Sequence, residues 1–170
     1  MLNKLYDNLN ECVDYTFKLS SIYADEGVNG NIGGPFGAGI IQIIDGKYKI
    51  LVITRNTVLF EKDPTSHAEV NAIRKACKLL DRFHLSDCIL VTTSKSCPMC
   101  ISAACWAKIP TVFYSLDYET ATTYGFRDNS ILEYLQDKDK NKIINENQKY
   151  SKYTEVPFLE WAKKQGKITY

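Results

Sequence analysis

Long apolar runs and an excess of one charge are both missing from this 170-residue chain. No stretch approaches the roughly 18 apolar residues that a membrane-spanning helix needs. Lys and Arg total 21 against 20 Asp and Glu, so the net charge of +1 gives no general attraction to nucleic acid or an anionic membrane. Acidic residues interrupt the N-terminal region, where a secretory signal would keep an apolar core. We therefore expect a single cytoplasmic domain, residues 1–170, whose partner is a small molecule and neither a membrane nor nucleic acid.

Histidine is also scarce, with two residues against six cysteines. Cysteines of a reducing compartment are not expected to form disulfides, so some of them are candidate metal ligands. The others are expected to be packing residues, since free cysteine behaves as a small apolar side chain. The expected packing or loop residues are Cys12, Cys77, Cys88, Cys105 and His84.

Hydrophobic periodicity predicts an α/β fold with a mixed sheet and helices on both faces. The predicted helices span 3–25, 67–80, 98–108, 118–125, 129–136 and 157–164. The predicted strands span 38–44, 48–54, 88–93 and 111–114. Asp45-Gly46 predicts a hairpin turn between the first two strands, and the later alternation of strand and helix is typical of parallel crossovers. The polar stretch 137–152 predicts a solvated linker.

Two short motifs carry the chemistry, each at a predicted helix start. They are His67-Ala68-Glu69 and Cys97-Pro98-Met99-Cys100. A Cys-x-x-Cys turn brings two thiolates together at a helix N-terminus, whose dipole favours the charged form. With His67 they offer zinc three ligands, and a site with three protein ligands leaves a fourth position for water. Glu69 is suited to take a proton from that water and pass it to a leaving amine.

Each motif also has a simpler interpretation when it is taken alone. Cys-x-x-Cys occurs as a redox pair or as half of a structural zinc knuckle. A His-x-Glu at a helix start is often a surface feature with a capping role. The order of the two motifs, with room for one helix and one strand between them, favours the combined metal site.

With the stretches around them, these motifs resemble the cytidine-deaminase-like zinc deaminase superfamily, and within it the bacterial guanine deaminases. The matching stretches are 33–38, 63–70, 72–77 and 97–100. The resemblance implies a three-layer α/β/α fold and one Zn²⁺ per chain, with His67, Cys97 and Cys100 as ligands. It also implies hydrolytic deamination of a free nucleobase, guanine to xanthine with release of ammonia, with Glu69 as the catalytic proton shuttle.

Further site residues are carried over from the same resemblance. It assigns substrate contacts to Asn56, Phe36, Trp106, Ala68 and Tyr170. Asp128 would be a second catalytic carboxylate, which acts on the purine ring while the tetrahedral carbon forms. In the guanine deaminases the last segment crosses to a partner subunit. Residues 137–170 are therefore expected to form a linker and a C-terminal segment swapped within a homodimer, whose Tyr170 closes the partner's pocket.

The chain departs from the family at Lys95-Ser96, where the family has Glu-Pro. A proline fixes the backbone that enters the metal turn, whereas Ser96 loosens it and could cap the helix instead. Lys95 brings a cation near the pocket mouth. The alternatives are a deaminase of tRNA adenosine, of cytosine, of nucleosides or of amino-triazines, or a non-catalytic zinc-stabilised binding domain. Near-neutral charge disfavours tRNA, Asp128 favours a purine, and Glu69 disfavours a purely structural site.

Overall fold

In a computed structural model, the strands form one five-stranded mixed sheet in the order β1-β3-β2-β4-β5. The structure describes residues 4–126, 128–137, 143–149, 151, 153–166 and 168. The strands are β1 (Leu5–Tyr6), β2 (Gly37–Ile44), β3 (Lys47–Arg55), β4 (Cys88–Ser94) and β5 (Thr111–Leu116). The helices are α1 (Leu9–Asn29), α2 (Val58–Glu61), α3 (Ala68–Leu79), α4 (Pro98–Trp106), α5 (Tyr118–Thr123), α6 (Asp128–Gln136) and α7 (Val156–Lys163). The predicted mixed sheet is confirmed: β4 and β5 are parallel and the other pairs are antiparallel.

The hairpin of β2 and β3 forms at the predicted turn. Asp45 and Gly46 have φ of 48° and 75°, so both central residues lie in the left-handed region that a type I′ turn requires. The turn places Ile44 opposite Lys47 at the end of the ladder. Aspartate and glycine tolerate this conformation better than β-branched residues, which explains why this pair marked the turn in the sequence.

Both faces of the sheet are covered, and neighbouring strand residues serve opposite cores. Ile41 and Val91 pack with Cys12 and Val13 of α1 on one face. Ile40 and Leu90 pack on the other face with alanines of α3 and α4, such as Ala72 and Ala104. Side chains alternate between faces along a strand, so each strand contributes to both cores. This arrangement confirms the three-layer α/β/α architecture.

The first helix begins later than the predicted residue 3, because Asn8 is its N-cap residue. Helix α1 starts at Leu9, and the Asn8 side chain accepts a hydrogen bond from the Glu11 N–H at 3.2 Å. Asparagine in this position satisfies one of the unpaired amides of the first turn. Leu5 and Tyr6, predicted as helical, instead form the short edge strand β1 against β3.

Helices α4 and α7 both expose apolar side chains to solvent. Helix α7 has no buried residue, and Phe158 is 74% exposed. Helix α4 leaves Ile101, Cys105 and Trp106 exposed, so the expectation that Cys105 is a packing residue is wrong. Within the predicted linker 137–152, residues 143–149 contain no helix or strand. None of the helices described has the length and apolar character to cross a membrane.

Candidate active site

The two sequence motifs meet because α3 and α4 begin side by side. His67 and Cys97 are the N-cap residues of these helices, and Cys100 lies in the first turn of α4. The Nδ1 atom of His67 lies 3.6 Å from Cys97 Sγ and 3.5 Å from Cys100 Sγ. The three ligand atoms all lie within 4.8 Å of one another. One imidazole nitrogen and two sulfurs at this separation match the mixed ligand set that zinc accepts.

A network of polar side chains shapes the loop that presents His67. Asp63 accepts hydrogen bonds from the Thr65 N–H and hydroxyl, both at 2.8 Å, and from the Ser66 hydroxyl at 3.1 Å. The bonds from Thr65 hold the pKa of Asp63 below its ordinary value. The Ser66 hydroxyl also lies 2.5 Å from Glu61. These bonds fix the chain one residue before the imidazole.

The thiols of the triad are coupled to one another. Hydrogen bonding from Cys100 lowers the pKa of Cys97 to about 4, with a further contribution from His67 and against the effect of burial. The Cys97 sulfur and burial raise the pKa of Cys100. The hydrogen bond to Cys97 likewise raises the pKa of His67. The triad therefore already favours one thiolate, which is the form that binds metal.

Glu69 is a buried carboxylate next to the triad. It is the second residue of α3 and is only 6% exposed. Burial raises its pKa, and the neighbouring Cys97 sulfur adds to this effect. Among the described residues it is not grouped with the metal-ligating triad, yet it faces the same cavity. Its position suits a proton carrier better than a metal ligand.

A cavity of about 420 Å³ opens over His67 and Glu69. Pockets for small molecules typically measure about 300–1,000 Å³. The cavity brings together six of the residues proposed from the sequence. The lining residues are Gly33, Gly34, Phe36, Asn56, Val58, Leu59, His67, Glu69, Lys95, Cys97, Phe126 and Asp128.

Asn56 is buried and held by backbone groups on both sides. Its Oδ1 accepts hydrogen bonds from the N–H groups of Gly34 at 3.2 Å and Val58 at 3.1 Å. Its own N–H donates to the Phe36 carbonyl at 2.9 Å. Within the described part of the chain the side-chain nitrogen has no such bond. Asn56 can therefore offer a fixed amide donor to a ligand.

Two aromatic rings and a carboxylate complete the cavity wall. Phe36 and Phe126 meet edge to face, with ring centroids 4.6 Å apart. Asp128 begins α6, and burial raises its pKa, as does the Cys97 sulfur. Sequence reasoning assigned no role to Phe126. Its position two residues before Asp128 was the only sequence signal that Phe126 lies near the cavity.

Helix α2 contributes two lining residues that sequence reasoning also missed. Val58 and Leu59 belong to this four-residue helix, which was not predicted. The available signal was two apolar residues between Asn56 and the turn at Asp63. Such a segment is too short for helical periodicity to identify it.

Two of the expected substrate contacts, Trp106 and Ala68, are not among the residues that line the cavity. Trp106 does not line the cavity in one chain; it is 67% exposed and borders a separate surface groove with Ile101 and Cys105. At 3.6 residues per turn, a residue six positions after Cys100 is rotated by about 240° around the helix, which explains its separation. Ala68 is fully buried, and its carbonyl accepts the Thr54 hydroxyl at 2.7 Å. Tyr170 lies outside the described residues.

The Lys95-Ser96 departure has clear structural consequences. Ser96 does not cap α4, since Cys97 is the N-cap residue and the buried Ser96 hydroxyl lacks a hydrogen-bond partner among the described residues. The capping interpretation was therefore wrong. The Ser96 carbonyl instead accepts the Tyr118 hydroxyl at 2.5 Å. Lys95 lines the cavity, and its Nζ lies 4.8 Å from the ring centroid of Tyr118.

Comparison with known proteins places this geometry in a family. Residues 13–116 match the cytidine and deoxycytidylate deaminase zinc-binding region. Guanine deaminase from Bacillus subtilis (strain 168) is 46% identical over 121 residues, which cover 71% of this chain and 75% of that protein. A tRNA-specific adenosine deaminase from Aquifex aeolicus (strain VF5) is 37% identical over 82 residues, 48% of this chain and 53% of that protein.

The similarity extends to solved structures. The X-ray structure of guanine deaminase from Bacillus subtilis superimposes with a TM-score of 0.83 and 39% identity, over 92% of this chain and 98% of that chain. The matched zinc-binding region and the grouping of His67, Cys97 and Cys100 support one zinc ion per chain. The chain is thus a zinc-dependent hydrolytic deaminase and belongs to the cytidine and deoxycytidylate deaminase zinc-binding family.

Proposed function

We propose that this protein deaminates free guanine by hydrolysis and releases xanthine and ammonia. One observation carries the choice of base: a second carboxylate, Asp128, lines the cavity that holds Glu69. Removal of an amine from C2 of a purine requires protonation at ring nitrogens while the tetrahedral carbon forms, and a second carboxylate can hold such a proton. The similarity to Bacillus subtilis guanine deaminase supports the same substrate.

We propose His67, Cys97 and Cys100 as the zinc ligands, on the basis of their chemistry and separation. When bound, zinc would supply the Lewis acidity that makes water nucleophilic near neutral pH. Glu69 accepts the proton that the attacking water gives up and passes it to the departing amine. Its burial beside the triad holds the carboxylate where both transfers can occur.

The rest of the cavity would position the base. The side-chain oxygen of Asn56 already accepts hydrogen bonds from Gly34 and Val58. Its side-chain nitrogen therefore donates to an oxo group on the substrate. The rings of Phe36 and Phe126 provide apolar surface for a planar heterocycle. The N–H of Ala68 lies in the first turn of α3, where backbone donors have no partner within the helix, and can also bind the base.

The exposed apolar surfaces support a homodimer with an exchanged C-terminal segment. Phe158 of α7 is 74% exposed and Leu159 is 51% exposed, while α4 exposes Trp106. Burial of such surface against a second copy stabilises both chains. We assign residues 137–170 to the exchanged segment, which would place Tyr170 at the pocket of the partner.

We assign the activity to the cytoplasm, where thiols remain reduced. The proposed site needs both Cys97 and Cys100 as free ligands, and neither forms a disulfide in the structure. An oxidising compartment would convert this close pair into a disulfide and prevent zinc binding.

A substrate screen with zinc-loaded protein tests the proposed function. Ammonia release is measured with guanine, adenine, cytosine, cytidine, an amino-triazine and tRNA as separate substrates. We expect the highest kcat/KM for guanine, with xanthine as the product. A preference for tRNA adenosine or a pyrimidine would contradict guanine as the substrate, and release of ammonia from none would favour a binding domain.

A further inference from the structure

The turn that carries Cys97 is hydrogen-bonded to the end of β5 and the start of α5. The Lys95 N–H donates to the Leu116 carbonyl at 2.7 Å. Tyr118, two residues further on, donates its hydroxyl to the Ser96 carbonyl at 2.5 Å. Burial raises the pKa of Tyr118, so its hydroxyl keeps the proton that it donates. The Lys95 N–H and the Ser96 carbonyl are thus both hydrogen-bonded to residues 116–118.

Ser96 itself gives the turn little support. Its side chain is 6% exposed, yet the hydroxyl has no hydrogen-bond partner in the described chain and does not cap α4. The family pattern has proline here, and a proline ring restricts φ to about −65°. A serine lacks this restriction, so the orientation of the next residue depends on contacts from elsewhere. The Tyr118 hydroxyl is such a contact.

We propose that Tyr118 is a positioning residue for the metal turn: it fixes the Ser96 carbonyl and so holds Cys97 in place, as the missing proline would. The role rests on the proposed assignment of Cys97 as a zinc ligand. Lys95 assists, because its Nζ lies 4.8 Å from the Tyr118 ring centroid and keeps the ring against the turn. Tyr118 acts through the backbone of Ser96 and is not among the residues that line the cavity.

Zinc affinity of two matched variants tests this role. Tyr118→Phe removes the hydroxyl and keeps the ring. Tyr114→Phe is the control, because the Tyr114 ring also lies near Lys95, at 5.8 Å, while its hydroxyl has no hydrogen-bond partner among the described residues. Competition with a chromogenic chelator gives the zinc dissociation constant. We expect Tyr118→Phe to raise it about 10-fold, as loss of a contact that orients a ligand does, and Tyr114→Phe to leave it unchanged.

A rescue variant separates positioning from general destabilisation. Within the described chain the Ser96 N–H donates no hydrogen bond, so Ser96→Pro removes none. We expect Tyr118→Phe combined with Ser96→Pro to regain most of the lost zinc affinity. Equal affinity of Tyr118→Phe and Tyr114→Phe, or a double variant as weak as Tyr118→Phe, would overturn the role. Because the readout is metal affinity, failure to deaminate guanine would contradict the proposed function alone.

Discussion

Gly33 and Asn56 pack so closely that no methyl group fits between them. A Cβ atom on Gly33 would lie 2.3 Å from Asn56 Oδ1 and 2.4 Å from its carbonyl oxygen. We expect Gly33→Ala to displace the amide from the cavity and to lower kcat/KM for guanine by about 100-fold, since small misplacements at a site have effects of this size. Steady-state kinetics and zinc content would be measured together, and zinc content should not change.

Gly27→Ala is the control for this substitution. A Cβ atom there approaches the flexible Arg55 side chain, 3.0 Å away, and no backbone atom comes as near. We expect activity close to that of the wild type. Full activity of Gly33→Ala would contradict the proposed role of Asn56.

Glu69→Gln should separate metal binding from turnover. The amide keeps the shape of the buried side chain but cannot accept and return a proton. We expect kcat to fall by about 10²–10⁴-fold, the usual contribution of general acid–base catalysis, with one zinc per chain retained. Glu119→Gln, at an exposed position of α5, should behave as the wild type. An active Glu69→Gln enzyme would disprove the proton-shuttle role.

Two cysteines on α4 provide a matched pair for the zinc site. Cys100 is buried in the triad, while Cys105 is exposed on the same helix. We expect Cys100→Ser to reduce zinc to well below one ion per chain, as measured by elemental analysis, and Cys105→Ser to keep it. Equal zinc content in the two variants would contradict the proposed ligand set.

Asp128→Asn should change substrate preference more than zinc binding. The substitution removes the carboxylate that we assign to the purine ring nitrogens and leaves Glu69 in place. We expect kcat/KM for guanine to fall by about 100-fold or more, while any slow turnover of cytosine changes little. Asp14→Asn, on the exposed side of α1, is the control. Equal losses for both bases would remove the reason for choosing a purine.

The exposed face of α7 can be tested by a single charge. Phe158→Asp places a carboxylate on a residue that is 74% exposed in one chain. It should leave the monomer fold intact but convert the proposed dimer to monomer, because an unpaired charge is costly to bury in an interface. Analytical ultracentrifugation would report the mass, with Glu160→Gln as the control. An unchanged dimer would exclude an interface through Phe158.

Local signals made the metal site predictable from sequence. His67, Glu69, Cys97 and Cys100 stand in two short motifs at helix starts, and the chemistry of each motif follows from residue type and spacing. The Asp45-Gly46 turn was predictable for the same reason, since its backbone conformation selects those residues.

Contacts that depend on how distant segments converge were not predictable. Trp106 shares α4 with Cys100, yet the rotation of the helix turns it toward a different groove in one chain. Leu59 precedes both motifs in the sequence and Phe126 follows them, yet both line the cavity. Hydrophobic periodicity does not predict that such distant segments meet. The bond from Tyr118 to Ser96 likewise joins residues whose proximity follows from the β4–α4–β5 crossover alone.

The residues of the site fall into two groups, one before the end of that crossover and one after it. The triad is complete at Cys100 and the sheet at Leu116, while Phe126 and Asp128 follow them. The family match also ends at residue 116. The cavity therefore draws Phe36, Asn56 and Glu69 from the matched region, and Phe126 and Asp128 from the segment that follows it.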